Sequence, residues 1–137
     1  MPWRNFILVG RNWHNFSDFE SLCALDNFEY VEASYSDYPS LYDQMSVFLS
    51  VSKVEGGPIP LIEAMMSNVF PVVSDTGFAR DVVQNGVNGF IFDESASALQ
   101  VCELIDLAYD FHVDVRKTTA DYSWDRFANG ISREIFA

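Results

Sequence analysis

Two short apolar runs, Val47–Val51 and Phe70–Ser74, enclose the segment SKVEGGPIPLIEAMMSNV. Its adjacent glycines, Gly56 and Gly57, predict a loop, and Pro58 predicts the first position of a helix. A proline there loses nothing, because its missing N–H would have no intrahelical partner and its φ is already helical. Ile59, Ile62, Met65 and Met66 then recur at helical spacing, and the helix is expected to stop near Asn68. Strand, glycine loop, helix, strand is a βαβ unit, which requires two parallel strands and a crossover. The loop and the helix start form a natural anion site, with N–H groups and the positive end of the helix macrodipole.

Two carboxylates flank this site. Glu55 lies in the loop and Glu63 in the second helical turn. Helical side chains lean toward the N-terminus, so Glu63 reaches back toward the helix start. A carboxylate is a poor phosphate ligand but a good acceptor for sugar hydroxyls. The combination points to a phosphorylated sugar.

The rest of the chain extends the same alternation. Phe6–Val9 and Phe28–Glu32 read as strands, with a helix from Ser17 to about Leu25 between them. Ser17 and Glu20 have capping-box spacing. Residues 34–39 read as loop, followed by a short helix, Ser40–Gln44. After Phe70–Ser74, the turn Asp75-Thr76-Gly77 leads into a helix over Phe78–Gln84, which Gly86 ends in a left-handed conformation. Asn88-Gly89 turns the chain into a strand, Phe90–Phe92. Ser97 and Gln100 repeat the capping-box spacing and open a helix to about Phe111. Tyr122–Phe136 places Trp124, Phe127, Ile131 and Ile135 on one face. Five strands alternating with helices predict one α/β domain over residues 1–137, a three-layer α/β/α arrangement on a parallel sheet of about five strands. Ligands of such sheets bind at the carboxyl ends of the strands, where Glu55, Gly56, Gly57, Asp75, Thr76 and Gly77 all fall.

The net charge of −12 disfavours nucleic acid and anionic lipid as partners, since both need a basic surface. It also opposes long-range attraction of an anionic phosphorylated sugar, so binding must rely on local donors: the loop, the helix start, Lys53 and Arg80. No apolar run approaches the ~20 residues that span a bilayer. Cys23 and Cys102 read as buried free thiols of a cytoplasmic protein, and Trp3, Trp13 and Tyr35 as mostly core. His14 and His112 lie in different elements with no acidic or cysteine cluster nearby, so no metal is expected.

EGGPIPLIEAM followed by PVVSDTGFARDVVQNGVNGFIF resembles the donor-binding, C-terminal half of retaining GT-B glycosyltransferases (family GT4, glycosyl transferases group 1). The match is close from about Val47 to Asp93. The resemblance implies a Rossmann-like domain that binds a nucleotide-sugar donor, such as a UDP- or GDP-sugar, without a further cofactor. It implies transfer of a hexose to a hydroxyl acceptor with retention. Glu63 would hold the nucleotide's ribose. Glu55 would sit by the donor sugar as the catalytic-site carboxylate. Gly56, Gly57, Pro58 and Ile59 would line the sugar and diphosphate, with Thr76 and Gly77 in the facing turn.

The departures are specific. The family often has glycine, aromatic, glycine after the first glutamate, where this chain has Gly56-Gly57-Pro58. A second glycine usually follows the Thr-Gly turn, where this chain has Phe78. Asp81 stands where glutamate is usual. Arg11 in VGRNW resembles an arginine that neutralises the diphosphate; the simpler reading is a loop arginine. The resemblance also implies that the acceptor-binding half is absent and that the chain alone is slow or inactive. Tyr122–Phe136 would then cover this domain's own core, or face a separate acceptor-domain chain or a second copy. The contrasting reading is a non-catalytic binding or oligomerisation module derived from such an enzyme. An unrelated flavodoxin-like domain would require the ordered motifs to be chance.

Overall fold

The computed structural model describes residues 1–57 and 59–136, the side chains of residues 134 and 136 apart. It divides into two compact units, Met1–Leu41 and Tyr42–Ala137. The expected parallel α/β alternation is present, with the five strands hydrogen-bonded as sheets of two and three.

In the first unit, β1 (Phe6–Val9) and β2 (Phe28–Val31) pair in parallel, Phe6 opposite Phe28 and Val9 opposite Val31. The connecting helix, α1 (Phe19–Cys23), begins after Asp18, and no side chain caps it. The expected Ser17–Glu20 box does not form, because the helix starts one residue later: Asp18, not Ser17, is its N-cap, and the Asp18 carbonyl accepts from Leu22 at 3.0 Å. A second correction concerns the aromatic residues. Trp3, Trp13 and Tyr35 are exposed, because a two-stranded sheet and a five-residue helix offer little apolar cover. Here aromatic rings cover one another instead, as Phe19 does edge-on to Tyr30 at 4.9 Å. Cys23 is likewise exposed rather than buried, and both cysteines are free. Residues expected as loop hold a 3-10 turn, Tyr35–Asp37, in which Asp37 accepts the Ser34 N–H at 3.1 Å. The next helix, α2 (Tyr38–Tyr42), takes Pro39 in its first turn, where no N–H is needed.

In the second unit, β3 (Val47–Ser50), β4 (Phe70–Ser74) and β5 (Phe90–Phe92) form a parallel sheet in the order β3-β4-β5. Every residue of β4 is buried, as befits a central strand with an unbroken apolar run. The helix α3 (Ile59–Met66) buries Leu61, Ala64 and Met65, at i, i+3 and i+4. The expected stripe is therefore rotated. Ile59 and Met66 are exposed, because the face that meets Val73, Ala79, Val82 and Val83 is centred on Leu61 and Met65. Asn68, in the left-handed region at φ 63°, ends the helix, and the Val69 N–H returns to the Ala64 carbonyl at 2.9 Å. Pro58 lies outside the described residues.

A four-residue helix, α4 (Ala79–Val82), leads to β5, and α5 (Ala98–Tyr109) follows. The expected capping box on α5 is formed: Ser97 Oγ accepts the Gln100 N–H, and Gln100 accepts the Ser97 N–H at 2.8 Å. Both α3 and α5 pack on β4. Between α4 and β5, the buried Asn88 accepts the Gln84 N–H at 2.6 Å. It donates to the Val82 carbonyl at 3.1 Å and to Thr118 Oγ1 at 2.9 Å. One amide thus ties the end of α4 to the 3-10 turn Val115–Thr118. The last helix, α6 (Trp124–Phe136), is amphipathic, yet Trp124, Phe127, Ile131 and Ile135 are all exposed.

Candidate functional site

The carboxyl ends of β3 and β4 lead into two loops, residues 51–57 and 75–78, and the sheet fixes where both begin. Buried Ser74, the last residue of β4, donates from Oγ to the Ser52 carbonyl at 2.5 Å. This bond ties the base of the glycine loop to the central strand. Ser52 in turn donates from its own Oγ to Glu55 Oε1 at 2.7 Å. The Glu55 carboxylate is thereby held beside the loop while remaining partly open to solvent. One carboxylate accepts several hydrogen bonds, so the bond to Ser52 leaves capacity for a ligand hydroxyl.

Glu63 lies one turn into α3 and is half-buried. The Tyr42 hydroxyl donates to Glu63 Oε2 at 3.1 Å, and Tyr42 itself is buried at 5% exposure. A buried ring has few rotamers to lose, so Tyr42 fixes the carboxylate at little entropic cost. Glu55 and Glu63 therefore each have a hydroxyl partner within the protein.

The N–H groups around the loop are unequally placed. The Ile59 N–H donates to the Gly57 carbonyl at 2.8 Å, so it already has an acceptor. In the facing turn the Thr76 N–H donates to the Ser74 carbonyl at 2.8 Å, and the Thr76 carbonyl accepts from Ala79 at 3.1 Å. Gly77 makes this turn possible with φ 54°, a region that a side chain disfavours. Thr76 Oγ1 lies 3.4 Å from Ser74 Oγ, so its side chain faces the same cross-tie. Glu55 and Thr76 lie in the loops that leave the carboxyl ends of β3 and β4, and Glu63 lies one turn into the helix that follows the first of them; Pro58 lies outside the described residues.

Phe78 meets Gly57 directly. A Cβ placed on Gly57 would stand 2.8 Å from Phe78 Cε1, whereas one on Gly56 would meet nothing within 4 Å. Two of the positions that depart from the pattern the resemblance implies, 57 and 78, thus meet at one contact.

Arg80, one of the expected anion donors, is engaged elsewhere. Its Nε donates to Asp75 Oδ1 at 2.6 Å, and its Nη2 pairs with Asp75 Oδ2. The hydrogen bond from Arg80 holds the Asp75 carboxyl below the usual carboxylate range. Lys53 is an exposed loop residue, while Arg11 belongs to the first unit.

A shallow cleft of about 590 Å³ lies at the other end of the sheet, lined by Met45, Ser46, Phe70, His112, Asp114 and Arg116 among others. None of the residues expected to bind a ligand lines it. The two carboxylates and the glycine loop lie instead toward the carboxyl ends of the strands, where ligands of parallel sheets generally bind.

Tyr42, Ser52 and Ser74 were not foreseen. Ser52 was legible, because Ser52 and Glu55 have the Ser-x-x-Glu spacing that lets a hydroxyl reach a carboxylate. Tyr42 is 21 residues from Glu63, and only the fold brings them together.

A family model described as glycosyl transferases group 1 matches residues 4–117. No curated protein matches. Among solved structures, the chain is similar to the apo lipopolysaccharide outer core galactosyltransferase WaaB, at 17% identity and a TM-score of 0.76, covering 96% of this chain and 40% of that one. It is similar to Anabaena Alr3699/HepE in complex with UDP-glucose, at 20% identity and 0.65, covering 85% and 35%. It is also similar to the catalytic domain of starch synthase IV from Arabidopsis thaliana bound to ADP and acarbose, at 19% identity and 0.71, covering 94% and 31%. The chain therefore spans well under half the length of these structures, and likenesses at this identity speak to the GT-B fold.

Proposed function

Because the chain belongs to the glycosyl transferases group 1 family, we propose that it binds a nucleotide-sugar donor for retaining transfer of a hexose to a hydroxyl acceptor. The observation that carries this reading is the pair of held carboxylates around one glycine loop. Ser52 holds Glu55 at 2.7 Å and Tyr42 holds Glu63 at 3.1 Å. Glu63 accepts the ribose hydroxyls, and Glu55 accepts hydroxyls of the donor sugar. Gly56, Gly57, Pro58 and Ile59, with Thr76 and Gly77, line the diphosphate and the sugar. The start of α3 presents its positive dipole end to the diphosphate as it departs, where developing charge is best stabilised. No metal or further cofactor enters this reading.

Two similar structures carry such ligands by name, UDP-glucose in HepE and ADP in the starch synthase, which supports a nucleotide-bearing donor here. The acceptor is presented by another domain, against which the exposed face of α6 packs. Two unpaired cysteines suit the reducing cytoplasm, where this reading locates the protein. Among the described residues, no helix is long and apolar enough to cross a membrane.

Thermal unfolding with UDP-, GDP- and ADP-sugars tests the reading. A donor at a hundred times its dissociation constant adds about 2.7 kcal/mol of stability. The expected result is a rise in midpoint with one nucleotide class that Glu63→Ala removes. No shift with any donor at millimolar concentration would overturn it.

A further inference from the structure

Phe78 is half-buried and packs against the buried cluster of Leu61, Met65, Val73, Ala79, Val82 and Val83. Gly77, at φ 54°, turns the chain immediately before it. The ring edge lies on Gly57: Cε1 and Cδ1 stand 2.8 and 3.4 Å from where a Cβ on residue 57 would be. A separation of 2.8 Å is well inside carbon–carbon contact distance, so any side chain at 57 displaces the ring. Gly57 is the seat that the ring requires. Gly56 is open at the same point, so the loop is covered on one residue and bare on the next.

We propose that the Phe78 ring, seated on Gly57, is a wall of the donor site and a specificity-determining residue for the glycosyl group. This rests on the donor-site reading above. The ring covers the loop that follows Glu55, not the Tyr42-held Glu63. It therefore takes volume from the glycosyl side of a nucleotide sugar and leaves the nucleoside side untouched. Because the ring is the far end of a side chain, it yields by rotation, and the strain of displacing it falls most heavily on ligands that carry a sugar beyond the diphosphate. The wall thus discriminates between a nucleoside diphosphate and its glycosyl ester.

The test is calorimetric titration of the wild type, Phe78→Ala, Phe78→Leu and Glu63→Ala with UDP, GDP and ADP and with their glucose esters. Phe78→Leu keeps apolar contact with the cluster but withdraws the ring edge, so it serves if Phe78→Ala does not fold. The ratio of nucleotide-sugar affinity to bare nucleotide affinity is expected to rise roughly tenfold in Phe78→Ala, the scale on which one apolar group discriminates in a pocket. It rises less in Phe78→Leu. Glu63→Ala weakens both ligands and leaves the ratio unchanged. An unchanged ratio in the folded Phe78 variants, with donor still bound by the wild type, overturns the wall and leaves the donor site standing. Absence of binding in every variant overturns the donor reading and the wall with it.

Discussion

Glu63 depends on a residue far from it in sequence. The Tyr42 hydroxyl donates to its carboxylate, and the Tyr42 ring is buried. Replacing Tyr42 by Phe keeps the ring and removes one hydrogen bond, which costs about 0.5–1.5 kcal/mol of fold stability. Donor affinity is expected to fall several-fold by calorimetry, with the urea midpoint only slightly lower; unchanged affinity would remove Tyr42 from the site. Gly89 gives a purely structural counterpart. A Cβ there would stand 2.6 Å from Pro71 Cγ, in β4, and 2.7 Å from Val83 Cγ1, both of them buried. Gly89→Ala is therefore expected to destabilise by about 1–3 kcal/mol in urea denaturation, the usual cost of overpacking. At this scale the sequence was informative where chemistry is local. That Glu55 lies in a loop, Glu63 in the helix after it and Thr76-Gly77 in a turn was readable from the sequence. Tyr42 was not, because nothing in a run of residues shows which side chain arrives from 21 positions away.

The elements that position the site are short, and their ends carry much of the order. Ser97 and Gln100 close a reciprocal cap on α5, as their spacing predicts. Ser97→Ala should cost about 0.5–2 kcal/mol, seen as a lowered urea midpoint. The failure at Ser17 and Glu20, with the same spacing pattern, has a physical cause: the helix begins with Asp18 as its N-cap, one residue out of register with the box. Spacing reveals the capacity for a cap but not the direction from which the chain enters. The stripe on α3 was misread in a similar way, since Ile59 and Met66 are as apolar as Leu61 and Met65, and only the neighbours choose the face.

The turns after β4 and β5 also carry a pH response. Hydrogen bonds from Arg80 lower the Asp75 pKa, and hydrogen bonds from Ser95 lower that of Asp93. A depressed folded pKa stabilises the fold above the ordinary carboxylate range. That contribution is lost as pH falls through the depressed value. Stability should therefore drop on acidification, and Asp75→Asn should flatten part of the drop in urea midpoints measured from neutral to acidic pH. An identical pH profile in the variant would refute the assignment. The pair with Arg80 is solvent-exposed, so added salt should weaken its share.

At the scale of the whole molecule, the charge of −12 and the exposed face of α6 pull in opposite directions. Like charge keeps copies apart, while Trp124, Phe127, Ile131 and Ile135 offer an apolar strip of the kind that marks an interaction surface. Alternation of strands and helices made the parallel α/β class legible. The grouping into sheets of two and three was not, because pairing depends on which strands meet and not on their number. Residues 4–117 match the glycosyl transferases group 1 model, so α6 lies beyond the matched region.

The central claim is that the glycine loop and the start of α3 hold the nucleotide sugar. Backbone amide chemical shifts, followed by NMR during titration with UDP-, GDP- and ADP-sugars, test it most directly. The account predicts saturable shifts at Gly56, Gly57, Ile59, Glu63, Thr76 and Gly77, with Met45, Asn68, His112 and Asp114 around the opposite cleft unmoved. Shifts centred on that cleft, or none at these residues with a donor shown to bind, would contradict it.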